Sequence, residues 1–299
     1  MRDEHPPVQP YPRVSDGVTR LRAEIDAAGL GRHVVDLEVN GFTVLEEALT
    51  DEHRAELTAQ LLRWAGTDED REVDVASGHT HRDRTQEVPL LLTRGGAAFR
   101  QLVLDRRTLR LMTYLLGAHR QISSVTGYVK GPGRCDLRVH SDTAYVPDPL
   151  PPYAQVANIN YCLTDYTLTG GCLSMVPGSH RYCQRPRGGH GEDELVAVQA
   201  PAGSAIVFHG NTWHGAFPRS EPGVRLTIST LFARSYMRPQ ENYAALYSDG
   251  DLTGLPAEFA QLVGLEPATG WASPAEAAAI VARRRDRGRD YYRTRSQHG

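Results

Sequence analysis

The stretch "LRVHSDTAYV" (137–146) sets a histidine and an aspartate two positions apart, His140 and Asp142, at the end of an alternating run. Imidazole nitrogens and one carboxylate oxygen are the donors of a two-histidine, one-carboxylate iron centre, which holds the metal on one face and leaves its other positions open. Residues i and i+2 of a strand project to the same side, so such a pair at a strand end can point together into a barrel mouth. The pattern by itself is weak: the chain has 12 histidines, and His81 and Asp83 repeat it within "SGHTHRDRTQE". The third donor must come from a distant strand, and "VFHGNTWHGAF" (207–217) offers two, His209 and His214.

Further on, "VRLTIST" (224–230) places Arg225 and Thr227 two residues apart. On a strand they share a face, where a guanidinium and a hydroxyl can jointly bind one carboxylate. Facing into a barrel they would anchor a dicarboxylate. Asn158 and Asn160 in "QVANINYCL" share a face in the same way, as a polar lumen requires.

The elements that must position these groups follow from hydrophobic period. Residues 1–16 are rich in proline and charge and read as a loose arm. A short helix is expected over 17–30, then a turn and strand in "NGFTVLEEAL" (40–49). Thr50 is placed to cap a helix whose first turn carries Asp51 and Glu52; Leu57, Leu61, Leu62 and Trp64 form its apolar face and Gly66 its stop. Charged residues 67–87 read as loop, and a helical stretch over 96–116, broken near Asp105, ends at Gly117. From residue 121 the period becomes two. "QISSVTGYVK", "CDLRVH", "QVANINYCL", "CLSMV", "ELVAVQ", "SAIVF" and "VRLTISTLFA" are short strand-like runs separated by turn residues. No helix-length pattern interrupts them, which argues against a parallel α/β sheet and points to an antiparallel barrel or jelly roll. The expected plan is a mainly β protein with flanking helices. After the arm, one domain covers 17–299: a helical part (17–120), a jelly-roll, cupin-like core (121–236) and a helical tail (237–299), in which "SPAE" (273–276) is a capping-box pattern.

His140-Ser141-Asp142, "TGGCLSMVPGSHR" (169–181), Trp213-His214-Gly215 and Arg225 eleven residues after His214, in that order, resemble the phytanoyl-CoA dioxygenase family of Fe(II)/2-oxoglutarate-dependent oxygenases. The resemblance runs from "NGFTVL" to "YMRPQEN" (236–242) and implies a double-stranded β-helix fold. It implies His140, Asp142 and His214 as iron ligands, Arg225 as the partner of the 2-oxoglutarate C5 carboxylate with Thr227 assisting, and Asn160 at a cosubstrate-contacting position where the residue type differs. With Fe(II), 2-oxoglutarate and O2 the implied reaction yields succinate, CO2 and an oxidised substrate, most simply a hydroxylated one. Related halogenases carry a small residue at the place of Asp142, so the resemblance is to the oxygenases.

Each reading has a plainer competitor. His209 beside "AIVF" reads as a satisfied histidine near a strand end, His180 in "PGSH" as a turn residue, and His81 with Asp83 as part of a charged loop. That loop, with His79 and Arg82, could still touch substrate. The proline-rich "TAYVPDPLPPYAQ" (143–155) is expected to form a lid or pocket wall, and Tyr145, Tyr153 and Trp213 suggest an apolar or ring-shaped natural product as substrate. Two other functions remain open: a redox-silent cupin-type isomerase or lyase, which would not need the Arg225/Thr227 anchor, and a non-catalytic small-molecule binder.

The bulk composition limits partners. A net charge of −3 supplies no strong field for nucleic acid or anionic membrane, and aspartates interrupt the arginine-rich "ARRRDRGRDYYRTR" (282–295). Lys130 is the only lysine. No run approaches the roughly 20 apolar residues of a membrane span. Four cysteines without a C-x-x-C pair fit reduced thiols, so a cytoplasmic protein, monomeric or homodimeric, is expected.

Overall fold

The computed structural model describes residues 12–78, 85–133, 137–189, 191–265, 273–275 and 277–278. In chain order its elements are α1 (Pro12–Ala27), α2 (Gly31–Asn40), β1 (Phe42–Leu45), α3 (Asp51–Glu69), β2 (Gln86–Val88), α4 (Leu91–Arg94), α5 (Ala97–Val103), α6 (Arg106–Leu116) and β3 (Arg120–Lys130). Then follow β4 (Val156–Cys162), β5 (Leu173–Met175), β6 (Val196–Val198), β7 (Ala205–His209), β8 (His214–Ala216), β9 (Arg225–Arg234), α7 (Tyr243–Leu246) and α8 (Ala257–Leu262).

The strands form two antiparallel sheets. One has six strands in the order β1-β7-β4-β9-β3-β2, the other three in the order β6-β5-β8. This is a jelly roll with flanking helices, in which period-two alternation sends odd and even residues to different surroundings. On β9, Leu226, Ile228 and Phe232 join the large apolar core with Leu57 and Leu61 of α3 and Leu109 and Met112 of α6. Arg225, Thr227 and Ser229, which alternate with Leu226 and Ile228 in sequence, line a cavity instead. Gly127 of β3 allows α3 to pack against the strand, since a Cβ there would lie 2.2 Å from Leu61 Cδ1.

Local chemistry explains several boundaries. The Thr50 hydroxyl accepts from His53 N at 3.2 Å and caps α3. Gly66 does not stop that helix, which runs on to Glu69 and ends at Asp70 in the left-handed region (φ 49°). Gly66 instead lets the chain fold back: Arg71 N donates to its carbonyl at 3.0 Å, and a Cβ would lie 3.3 Å from Arg71 O. The break at Asp105 separates α5 from α6, with the Asp105 carboxylate accepting from Thr108 N at 2.9 Å. The first helix begins at Pro12, not residue 17. Two short strands escape the period-two reading: β2 begins within the stretch read as loop, and β8 lies within the histidine segment. Conversely, the described part of "CDLRVH" is irregular, touching the sheets through one isolated bridge, His140 to His214.

Backbone packing divides the chain into two units, Met1–Leu265 and Glu266–Gly299. In the second, 274, 275, 277 and 278 are helical and Ala277 N donates to Ser273 O at 3.0 Å. Glu276 of the capping-box pattern and the arginine-rich 282–295 lie outside the described residues. Among the described residues no helix is long and apolar enough to cross a membrane.

Candidate active site

His140 and His214 are direct cross-strand partners, each backbone N–H donating to the other's carbonyl at 2.9 Å. Asp142 N donates to Gly210 O, also at 2.9 Å. An irregular segment is thereby fastened at two points to the β7–β8 region, which brings the His140/Asp142 pair and the distant His214 together. Both imidazoles are oriented from behind: His140 Nδ1 lies 2.8 Å from Arg138 O, and His214 Nδ1 lies 2.9 Å from Thr212 O. A carbonyl only accepts, so Nδ1 carries the proton in each ring and the Nε2 lone pairs are left for a metal. Those two Nε2 atoms are each 3.6 Å from Asp142 Oδ1.

The remaining carboxylate oxygen is held separately. Asn158 Nδ2 donates to Asp142 Oδ2 at 3.2 Å, and Ser229 Oγ donates to Asn158 Oδ1 at 2.7 Å. Burial favours the neutral acid, but the neighbouring His214, His140 and Asn158 outweigh it and hold the Asp142 carboxyl below its usual range. For His214 burial dominates over the attraction of Asp142 and lowers its basicity. Burial acts the same way on His140, yet the adjacent Asp142 carboxylate more than offsets it, and its pKa is raised. The three donor atoms lie within 4.8 Å of one another and are the only such cluster of three among the described residues. Two imidazole lone pairs and one anionic oxygen fit a divalent transition metal, with the other side of the cluster facing a cavity of about 870 Å³.

β3, β4 and β9 build another part of the cavity wall. Lys130 lies opposite Arg225 and Tyr128 opposite Thr227 in the β3–β9 register, and Asn160 lies opposite Ser229 in the β4–β9 register. Arg225 is buried, with a terminal nitrogen donating to Gly171 O. Its Nε has no hydrogen-bond partner, and neither has the buried Oδ1 of Asn160. A buried guanidinium N–H without an acceptor is costly, so the position fits an anionic ligand that would complete it. Behind Arg225 and Thr227 stands Tyr166, whose hydroxyl hydrogen-bonds Thr227 Oγ1 and whose ring centroid lies 4.8 Å from the Arg225 guanidinium carbon.

Other candidates are placed elsewhere. His209 sits against His180, ring centroids 5.3 Å apart, and its Nδ1 accepts from Asn211 N at 3.0 Å. Burial, with the positive fields of His180 and Arg234, pushes His209 down to about 3. His79, His81, Arg82 and Asp83 lie outside the described residues. The expected lid residues do not line the cavity: Tyr145 is 89% exposed, and Arg185 holds the loop through Thr143 O at 2.7 Å and Asp148 Oδ1 at 2.8 Å. Trp213, by contrast, is buried, and its indole N–H donates to Gln184 O at 2.8 Å. Walls come instead from β2 and the end of α3, through Gln86, Glu87 and Glu69. Sequence reasoning missed Ser229 and Tyr166. Ser229 was accessible by extending the i, i+2 rule one step from Thr227, whereas nothing local marks Tyr166.

Comparison with known proteins gives the family. An uncharacterized protein from Mycobacterium bovis (Mb1539) is 32% identical over 112 residues, which are 38% of this chain and only 41% of that protein. Dioxygenase FUM3 of Gibberella moniliformis is 22% identical over 280 residues, covering 89% of this chain and 92% of the relative. Among solved structures, the non-heme alpha ketoglutarate dependent epimerase SnoN from nogalamycin biosynthesis superposes with a TM-score of 0.57 at 22% identity, over 82% of this chain and 97% of its own. SnoN has also been solved with Fe3+, alpha ketoglutarate and nogalamycin RO. The family model of phytanoyl-CoA dioxygenase (PhyH) matches residues 37–226, a span that contains His140, Asp142, His214 and Arg225, and the chain belongs to that family.

Proposed function

We propose that this protein is an Fe(II)/2-oxoglutarate-dependent oxygenase that oxidises a C–H bond of a small natural-product-like molecule, most simply by hydroxylation. The observation that carries this reading is the pairing, in one cavity, of a His140/Asp142/His214 donor cluster with a buried arginine whose Nε lacks an acceptor. Iron(II) held there, with 2-oxoglutarate and O2, supplies oxidising chemistry that converts the cosubstrate to succinate and CO2 as the substrate is oxidised.

The residues of the chain have distinct parts in this. His140, Asp142 and His214 would hold the metal, and the backbone carbonyls of Arg138 and Thr212 keep the ring lone pairs aimed at it. Arg225 and Thr227 bind the distal carboxylate, where burial makes a charge-assisted hydrogen bond strong. Asn160 faces the same space with an unpartnered oxygen and so contributes a polar contact to cosubstrate or substrate. The cavity volume suits a cosubstrate plus a second small molecule, and Leu137, Leu173 and Phe208 give one side of it an apolar wall.

A redox-silent cupin-type enzyme would use the donor cluster without the anchor. Anaerobic addition of Fe(II) and 2-oxoglutarate separates the two: the oxygenase shows a visible metal-to-ligand charge-transfer band that needs both components. Absence of the band at saturating concentrations of both would reject the oxygenase reading.

A further inference from the structure

We infer that Tyr166 is a positioning residue for the cosubstrate anchor: its hydroxyl orients the Thr227 hydroxyl and its ring face supports the Arg225 guanidinium. This deepens the reading above and rests on it.

The side chain is fixed before any ligand arrives. Tyr166 sits in the connection between β4 and β5, outside regular structure, yet its backbone is paired in both directions with Ala200 at 2.8 and 3.1 Å. Its ring is 1% exposed among Cys162, Cys172 and Ile206. It does not line the cavity; Thr227 and Arg225 do, and Tyr166 touches both from behind.

The hydrogen-bond inventory sets the direction of the relay. A threonine hydroxyl has one proton to donate and two lone pairs to accept with. If Thr227 donates to an anionic carboxylate in the cavity, it can only accept from Tyr166, so the phenol must be the donor. Burial raises the phenol's pKa, although Arg225 opposes this, and the phenol keeps the proton that the relay needs. A hydroxyl that is already accepting is a better donor, because hydrogen bonds in a chain polarise one another. The same ring fixes the guanidinium by a cation–π contact, which is strongest where water is excluded. One side chain thus braces both groups that meet the carboxylate.

The test is calorimetric titration of 2-oxoglutarate into the Ni(II)-loaded protein, with Ni(II) affinity and thermal stability measured beside it. Tyr166→Phe keeps the ring and removes the hydroxyl, and should raise the 2-oxoglutarate Kd about two- to tenfold. In a Thr227→Val background the same change should have no further effect, because the relay is already cut. Tyr166→Leu, which also removes the ring face, should raise Kd by at least about tenfold. Nickel affinity should be unchanged in all of them. An unchanged Kd in Tyr166→Phe overturns the inference, as does an equal rise in the presence and absence of the Thr227 hydroxyl. A loss of stability alone in Tyr166→Phe would assign it to core packing and overturn it too. Failure of the wild-type protein to bind 2-oxoglutarate would instead reject the oxygenase reading itself.

Discussion

Replacing Asn158 by alanine tests how the carboxylate of the proposed metal site is held. The side chain reaches Asp142 Oδ2 at 3.2 Å and is itself oriented by Ser229 at 2.7 Å, so Asp142 presents its other oxygen, Oδ1, towards the two histidines. A hydrogen bond to a charged group is worth about 1.5–3 kcal/mol, and the length of this one places it at the lower end. At tenfold per 1.4 kcal/mol, Asn158→Ala should weaken metal binding about tenfold, within the 10- to 100-fold range typical of groups that orient ligands from behind. Ser229→Ala removes only the second link and should cost about two- to fivefold, as expected for a neutral hydrogen bond whose loss leaves the direct contact in place. Anaerobic competition for Co(II) against a chromophoric chelator measures both, and melting of the metal-free protein reports whether the fold is intact. A Co(II) affinity within twofold of wild type in a stable Asn158→Ala protein would refute the relay, as would a Ser229→Ala loss larger than that of Asn158→Ala.

Other outcomes are equally specific. His214→Ala and Asp142→Ala should each abolish iron binding and succinate formation, whereas His209→Gln should retain both; iron content and succinate assays decide, and a dead His209 variant beside an active His214→Ala would reverse the assignment. Arg225→Ala strands a buried anion at a cost of about 2–5 kcal/mol, so the 2-oxoglutarate requirement should rise about 30-fold or more while iron affinity stays the same; cosubstrate-dependent succinate release measures it. His209 also predicts acid sensitivity. Its pKa is held at about 3 by burial and by the fields of His180 and Arg234, so the folded protein refuses a proton that the unfolded chain accepts near 6.5. Its contribution to stability is therefore full above about pH 6.5 and lost as pH falls towards 3, at about 1.4 kcal/mol per unit. Between pH 6.5 and 5 the wild type should lose about 2 kcal/mol more than His209→Gln in urea unfolding; equal losses would show that the histidine takes up a proton in the fold.

Legibility followed the range of the interactions. Asp105 was readable as a break because its carboxylate caps the next turn, and Thr50 for the same reason: capping acts over three residues, within reach of a local pattern. The long strands β3, β4, β7 and β9 were readable because each buries both faces or alternates over many residues. β2 and β8, three residues each, sit in charged or histidine-rich stretches, and they exist because distant strands, β3 and β5, supply their partners. The pairing of His140 with His214 across an otherwise irregular segment belongs to the same class, a contact between residues 74 positions apart.

Residue types and spacing alone determined which chemistry was available: two histidines and an aspartate for a divalent metal, and an arginine and a threonine two apart on a strand for a carboxylate. They also determined the antiparallel roll, since hydrophobic alternation is a property of consecutive residues. The family resemblance implied His214 rather than His209, and the tertiary structure supplies the physical reason by setting His214 in the cluster. His209 and His214 are five positions apart, and only the backbone bridge from His140 and the hydrogen bond from Asp142 N to Gly210 O set one against the carboxylate and leave the other against His180. Tertiary structure alone decided that the proline-rich loop is fastened away from the cavity by Arg185, and that Asn158, Ser229 and Tyr166 stand behind the ligating groups. The reason is physical. A donor's element and its period are written in neighbouring residues, but which lone pair faces which atom depends on hydrogen bonds between strands that meet only when the chain has folded.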